Sequence, residues 1–333
     1  MKKKNLKFLI IGYGSIGFRH AQNLIKLGYK NISVLRTYKN KFKFKKNKKL
    51  KFFSKFKKTL NNKKDHIMII ANPTKKHVPY VIKGLKEKMN IYIEKPLSDS
   101  LKEIDKVKKL EKKNNSKIFI GYQFRYHPGL LYIKKCLKEK KLGKIYSVSS
   151  DVGEYLPSWH PWENYKNSYA SQKKLGGGVV LTLAHEIDYL YWLFGNFKSI
   201  YSLGGKFTKL SVDVEDNVIT SILTKSNVPI NLRMDYWRNP PSRKLNIVGE
   251  KGEITWDYYK GTTTFIRRNG KKILKKNPKN WNRNSMFIDS INDFIDCVTK
   301  HKKSKIVLSD GIYGLKAALA IKKSLSVKQK VIM

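Results

Sequence analysis

The sequence sets a glutamate and a lysine where a buried strand ought to end. In "NIYIEKPLSD" (residues 90–99), Ile91 and Ile93 alternate as in a short strand closed by Pro96, yet Glu94 and Lys95 are residue types that resist burial. Such a pair at the carboxyl end of a strand marks either a solvated loop or a working site, since an ammonium there can polarise a carbonyl or hold an alcohol. A second candidate lies in "HEID". A histidine such as His185 suits proton exchange with an alcohol, because an unperturbed imidazole titrates at about 6.5. Asp188, three residues on, shares its helical face and could orient the ring or contact a substrate hydroxyl. A core or capping histidine is the plainer alternative. A zinc-protease HExxH is excluded because Tyr189 stands where the second histidine belongs, and with no CxxC or Cys/His cluster no metal is expected.

A third constellation is "FLIIGYGSIG". Gly12, Tyr13, Gly14, Ser15, Ile16 and Gly17 follow an apolar run and open a helical pattern. Gly12 allows the tight turn, Gly14 lets a pyrophosphate approach the backbone, and Gly17 lets helix and strand pack closely, so the loop is expected to bind a dinucleotide. The acidic residue that would hold the adenosine ribose is missing. The next strand runs into Arg36 and Thr37, and no Asp or Glu occurs before Asp65. An arginine there accepts a 2′-phosphate, which favours NADP over NAD as cofactor; a merely exposed Arg36 is the alternative.

Aromatic residues form the last group. Tyr155, Trp159, His160, Trp162, Tyr165 and Tyr169 crowd into one irregular segment, where flat rings with polar edges can stack on a sugar or pack a subunit interface. Arg125 and His127 lie in "FRYHPG", where they either meet substrate or fix a junction. Arg125, Trp159, His160, Tyr165 and Asp188 are therefore the candidate substrate contacts.

These residues need a scaffold. Apolar runs at Phe8–Ile11, Ile32–Leu35, Ile67–Ile70, Ile91–Ile93 and Ile118–Ile120 read as buried strands, with helical patterns at Ile16–Leu27 and Val78–Lys86 between them. Ser100 and Glu103 have capping-box spacing and are expected to start a further helix. The alternation predicts an α/β fold, a doubly wound parallel Rossmann sheet over residues 1–122. Residues 123–333 read as a second α/β domain. It has a helix at Leu130–Glu139, a strand at Ile145–Val152, a helix from about Val179 to Phe194, several strand-like runs between Ser199 and Arg267 that suggest a large, mainly antiparallel sheet, and helices near Ser285–Thr299 and Gly311–Leu325.

Composition narrows the classes. The 333 residues suit two domains. The net charge of +47 resembles that of a nucleic-acid binder, but 62 of the 71 basic residues are Lys and nine are Arg, alongside abundant Asn, Ile, Tyr and Phe. AT-rich codons impose that bias on any protein, whereas base and bidentate phosphate recognition favours Arg, so no nucleic-acid partner is expected. The apolar run at Phe8–Ile11 is too short for a secretory signal, and no stretch approaches the ~20 apolar residues of a membrane span. Two distant cysteines fit a reducing cytoplasm.

With GYGSIG, "ANPTKKH" (71–77), "EKP" (94–96), "GYQFRYHP" (121–128) and "GGGVVLTLAHEID" (176–188) in this order, the chain resembles the Gfo/Idh/MocA oxidoreductases over nearly its whole length. The resemblance implies a Rossmann domain followed by an α/β domain whose open sheet often forms dimer or tetramer contacts, so a homodimer or homotetramer is expected. It implies that Lys95 lies beside the nicotinamide and the reacting oxygen, that Asn72, Pro73, Thr74 and His77 lie near the cofactor, and that Glu94 lies on its ribose or nicotinamide side. His185 matches the family's histidine, but Leu181 stands where many relatives carry the Asp that partners it. "EYLPSWHPWENY" is similar to a branch associated with surface-glycan and nonulosonic-acid biosynthesis. The expected function is an NAD(P)-dependent oxidoreductase of a sugar, sugar nucleotide or cyclitol, with Lys95 and His185 catalytic. A non-catalytic dinucleotide-binding regulator of the same fold is the alternative.

Overall fold

The computed structural model describes residues 6–36, 47–56 and 66–333. Two compact units arise, Met1–Tyr122 with Asn284–Leu315, and Gln123–Arg283 with Lys316–Met333.

Among the described residues, the first unit holds six parallel strands, β1 (Lys7–Ile11), β2 (Asn31–Leu35), β3 (Leu50–Phe53), β4 (His66–Ile70), β5 (Asn90–Glu94) and β6 (Ile118–Gly121), in the order β3-β2-β1-β4-β5-β6. Helix α1 (Ser15–Lys26) joins β1 to β2, α2 (His77–Lys86) joins β4 to β5 and α3 (Ile104–Asn114) joins β5 to β6. This is the doubly wound order, in which all strands end on one edge and ligands gather there. Near-continuous apolar runs suit strands covered on both faces, and each fully buried Ile or Leu contributes ~1.5–3 kcal/mol. All five residues of β5 are buried, Glu94 included.

Helix α3 starts later than its capping box implies. Glu103 is left-handed at φ 62° and lies outside the helix, which opens at Ile104 after a turn joining Ile104 N–H to Leu101 O at 3.2 Å. Strand β3 has no counterpart among the expected elements, because it sits inside the lysine-rich stretch. It pairs parallel to β2, Ile32 opposite Leu50. Asn284–Leu315, within the expected second domain, packs in this unit. Ser290 Oγ lies 2.9 Å from Tyr92 OH, Phe294 meets Tyr92 and Phe119, and a Cβ on Gly311 would come within 2.6 Å of Ile120.

The second unit is built on a nine-stranded sheet. Its strands are β7 (Ile145–Gly153), β8 (Phe197–Gly205), β9 (Asn217–Thr224), β10 (Pro229–Asp235), β11 (Ser242–Gly249), β12 (Gly252–Asp257), β13 (Thr262–Arg267), β14 (Lys272–Lys276) and β15 (Val331–Ile332). The order is β14-β13-β12-β11-β7-β10-β9-β8-β15, and only the β7–β10 pairing is parallel. Strands alternate buried and exposed residues, as a half-covered antiparallel sheet requires. The lysine-rich β14 and two-residue β15 carry too weak an alternation to be legible in sequence. Helix α4 (Pro128–Lys138) appears as expected.

The helix expected from Val179 to Phe194 is broken into α5 (Val179–Thr182) and α6 (His185–Phe194) by a turn at Leu183 and Ala184. The break makes His185 the first residue of α6. Helices α7 (Arg283–Lys300) and α8 (Leu308–Val327) lie between β14 and β15. Among the described residues, no helix is long and apolar enough to cross a membrane.

Candidate active site

The carboxyl edge of the parallel sheet carries the first group. Gly12 has φ +94°, and a Cβ there would lie 2.9 Å from Ala71 O. Its N–H donates to Leu35 O and Ala71 N–H donates to Ile11 O, both at 2.9 Å, so the loop is tied to both neighbouring strand ends. A Cβ on Gly17 would collide with Gly12 O, which is how closely helix and loop approach. A Cβ on Gly14, in contrast, meets no atom within 4 Å.

Gly14 caps α1 without a side-chain hydrogen bond, and the first turn, from Ser15 through Ile16, holds no acidic residue. An open glycine and a helix amino terminus with no carboxylate fit a pyrophosphate. Tyr13 turns inward, edge-on to Phe18 and to Phe52 at 5.8 and 5.1 Å, and burial raises its pKa. Arg36 closes β2, its N–H donating to Phe53 O at 2.9 Å. Thr37 lies outside the described residues.

Two buried histidines organise the neighbouring strand ends. His77, the first residue of α2, has Nδ1 2.8 Å from Pro96 O and Nε2 2.8 Å from Asn72 O, so one ring spans the segments that follow β4 and β5. Burial lowers its pKa against the pull of both carbonyls, leaving a neutral ring that donates from one nitrogen at a time. Thr74 is buried beside Pro73 in the short 3-10 turn before α2.

His20, absent from the sequence-derived candidates, lies on α1 with Nε2 2.7 Å from Glu94 Oε1. This bond lets Glu94 remain buried. Lys95 follows at once, half-buried, and its charge is felt at His77. His20 was detectable in principle, as a polar residue on the helix face that also carries Gly17, Ala21 and Leu24. Its partner 74 residues away was not.

The second unit carries the other group. His185 packs against the Phe124 ring at 4.8 Å between centroids. On that ring also lies the Arg243 guanidinium, 4.6 Å from the centroid. Arg243 Nε lies 2.8 Å from Glu186 Oε1 and Nη2 lies 3.3 Å from Glu154 Oε1, which accepts from Tyr259 OH at 3.0 Å. Burial opposes the Arg243 charge, yet the two carboxylates hold its pKa above the ordinary value. None of these partners was evident in sequence, since each comes from a different element.

Arg125 and Asp188, both candidate substrate contacts, are buried against each other, Nη2 2.6 Å from Oδ1. Asp188 is thus engaged by Arg125. His127 is a capping residue, its Nδ1 accepting from Gly129 N–H at 3.0 Å, and its ring meets Trp281 and Trp256 at 4.7 and 5.0 Å. Burial, with help from Arg243, drops its pKa to about 3.

The aromatic segment folds as four short 3-10 turns between Leu156 and Leu175. Trp159 is edge-on to Tyr236 at 5.5 Å, His160 Nδ1 lies 2.9 Å from Glu163 Oε1, and Tyr165 OH accepts from Ser211 N–H at 3.1 Å. Leu181 is buried in α5. Gly178 brings the chain into α5 at φ +102°, a conformation L side chains rarely adopt, and a Cβ there would press on the Glu215 carboxylate.

Comparison with known proteins agrees with this architecture. A family model described as "Oxidoreductase family, NAD-binding Rossmann fold" matches residues 6–122, and one described as "GFO/IDH/MocA C-terminal domain" matches residues 130–255. Myo-inositol 2-dehydrogenase of Thermotoga maritima is 22% identical over 338 residues, covering 97% of each chain. Inositol 2-dehydrogenase of Salmonella typhimurium is 23% identical over 257 residues, 74% of this chain and 72% of that one. For the first three curated relatives, the matched stretch covers only 33%, 62% and 55% of their length. A levoglucosan dehydrogenase in complex with NADH and levoglucosan superposes with a TM-score of 0.86 at 17% identity, over 98% of this chain and 99% of that one. At that identity the likeness shows the fold.

Proposed function

The chain belongs to the Gfo/Idh/MocA oxidoreductase family, and on that premise we propose that it transfers a hydride between a nicotinamide dinucleotide and a carbinol or carbonyl carbon of a sugar, sugar nucleotide or cyclitol. The carrying observation is that the open Gly14 cradle after β1 and Lys95 after β5 share one edge of the parallel sheet. The bound dinucleotide supplies the hydride acceptor or donor. Gly12, Tyr13, Gly14, Ser15, Ile16 and Gly17 hold its pyrophosphate, Asn72, Pro73, Thr74 and His77 line its path, and Glu94 accepts from its ribose. NADP is favoured over NAD by Arg36.

In the oxidative direction His185 takes the hydroxyl proton as the carbinol hydrogen leaves as hydride, and the product is a carbonyl. Lys95 stabilises the oxygen as its charge changes. Arg243, through Phe124, keeps the His185 ring in place, and the Arg125–Asp188 pair fixes the start of α6. Trp159, His160 and Tyr165 cover the sugar ring. The inositol and levoglucosan dehydrogenases among the similar proteins support this substrate class.

Residues 1–122, with Asn284–Leu315 packed in the same unit, serve as the cofactor domain, and the remainder of 123–333 as the substrate domain. A homo-oligomer is supported by exposed apolar residues on β8 and β9, where Leu203 and Ile219 lie opposite each other at 58% and 46% exposure. A cytoplasmic role in surface-glycan biosynthesis completes the reading.

Nicotinamide absorbance, followed with purified protein over a panel of sugars, sugar nucleotides and cyclitols, tests the proposal. One specific observation favours a second reading, a dinucleotide-binding regulator: Leu181, apolar and 2% exposed, stands where the family resemblance places an Asp. Tight cofactor binding without turnover on any substrate would select it.

A further inference from the structure

We propose that His20 is a positioning residue: it fixes the rotation of the Glu94 carboxylate and thereby the grip of Glu94 on the nicotinamide-side ribose of a bound dinucleotide. The inference deepens the dinucleotide reading above and rests on it.

Burying a carboxylate costs several kcal/mol unless a partner compensates it. Glu94 is 7% exposed and His20 0%, and the contact of 2.7 Å between Nε2 and Oε1 is short, as charge-assisted bonds are. The imidazole has little freedom. Tyr92 stands edge-on to it at 5.1 Å and Phe287 at 5.9 Å. Tyr92 is itself held by Ser290 at 2.9 Å and stacked on Phe119 at 5.1 Å. Two aromatic neighbours packed on the ring restrict the directions in which Nε2 can point. Because Oε1 must meet it, the plane of the carboxylate and the direction of Oε2 are set as well.

The location separates this pair from an ordinary core ion pair. His20 lies on the helix whose amino terminus follows Gly14, and Glu94 is the last residue of β5, directly before Lys95. One hydrogen bond therefore joins the phosphate-binding helix to the strand end that carries the lysine. Sites that must hold a ligand to fractions of an ångström depend on such supporting contacts.

The test uses the full chain as wild type, His20→Ala, His20→Gln, Glu94→Gln and the double variant His20→Ala/Glu94→Gln. Calorimetric titration with ADP, ADP-ribose and NADH is run beside thermal unfolding. ADP lacks the second ribose and acts as the internal control. His20→Ala and Glu94→Gln are expected to weaken ADP-ribose and NADH about ten-fold, the loss of one charge-assisted hydrogen bond, with ADP within two-fold of wild type. His20→Gln, whose amide N–H can replace Nε2–H, should recover most of the loss. The double variant should lose no more than either single one.

Equal weakening of ADP and NADH, or unchanged NADH binding in His20→Ala, would overturn the proposal and leave His20 a packing residue. Should His20→Ala fail to fold, Glu94→Gln and His20→Gln decide in the same way. Wild type that binds none of the three ligands would refute the dinucleotide reading itself, and this inference with it.

Discussion

Arg125 and Asp188 close on each other inside the second unit, Nε 3.1 Å from both carboxylate oxygens and Nη2 2.6 Å from Oδ1. Both were candidate substrate contacts by residue type and position. Mutual satisfaction makes them a brace between the segment after β6 and the first turn of α6, whose first residue is His185.

A buried pair broken on one side leaves an uncompensated charge. Arg125→Ala should therefore lower unfolding free energy in urea by ~3–5 kcal/mol, and the double variant Arg125→Ala/Asp188→Ala should cost less than the sum of the two single ones. Additive, small losses would mean that the pair contributes nothing as a unit.

The glycine loop separates fold from ligand. Gly17→Ala pushes a Cβ into Gly12 O and should destabilise by ~1–3 kcal/mol. Gly14→Ala meets only open space, so its melting temperature should stay near wild type while dinucleotide affinity falls about ten-fold or more. Unaltered affinity in Gly14→Ala would remove the pyrophosphate from this loop.

His127 gives a pH signature. Its folded pKa of about 3 lies below the ~6.5 of an unfolded histidine, so between those values the unfolded chain binds the extra proton. Stability is full above the unfolded value and falls as pH drops through this window, by up to ~1.4 kcal/mol per unit for this one group. His77, also lowered, acts in the same direction. His127→Asn, which keeps an acceptor for Gly129 N–H, should flatten the stability profile between pH 6.5 and 4. An unchanged slope would show that other groups govern acid unfolding.

Arg36 decides cofactor choice if it meets a 2′-phosphate. Arg36→Ala should weaken NADP(H) about ten-fold or more and leave NAD(H) within two-fold. Equal losses for both would assign Arg36 to the loop's architecture.

Five of the six strands of the first unit were legible because strands buried on both faces read as apolar runs, and the glycine turn after β1 because glycine is demanded at fixed offsets; β3 was hidden by the surrounding lysines. The break at Leu183–Ala184 was not legible, because both residues continue an apolar helical pattern and the turn answers to packing around α5. Single residues such as Lys95 and His185 stood out through type and motif. Their supports, His20 for Glu94, Phe124 for His185 and Arg243 for Glu186, depend on partners tens of residues away, and no local pattern encodes a pairing of that kind. Arg125 and Asp188 show the same limit: their types and position suggested substrate contact, and their pairing with each other was not legible.

The central claim is hydride transfer assisted by Lys95. Its most direct measurement is the rate of nicotinamide absorbance change on the best substrate of the panel, in wild type and Lys95→Met, with NADH and NADPH affinity measured on the same preparations. The account predicts turnover in wild type, a loss of about 100-fold or more in the variant, and cofactor affinity within a few-fold of wild type. Turnover that survives the substitution undiminished would contradict it.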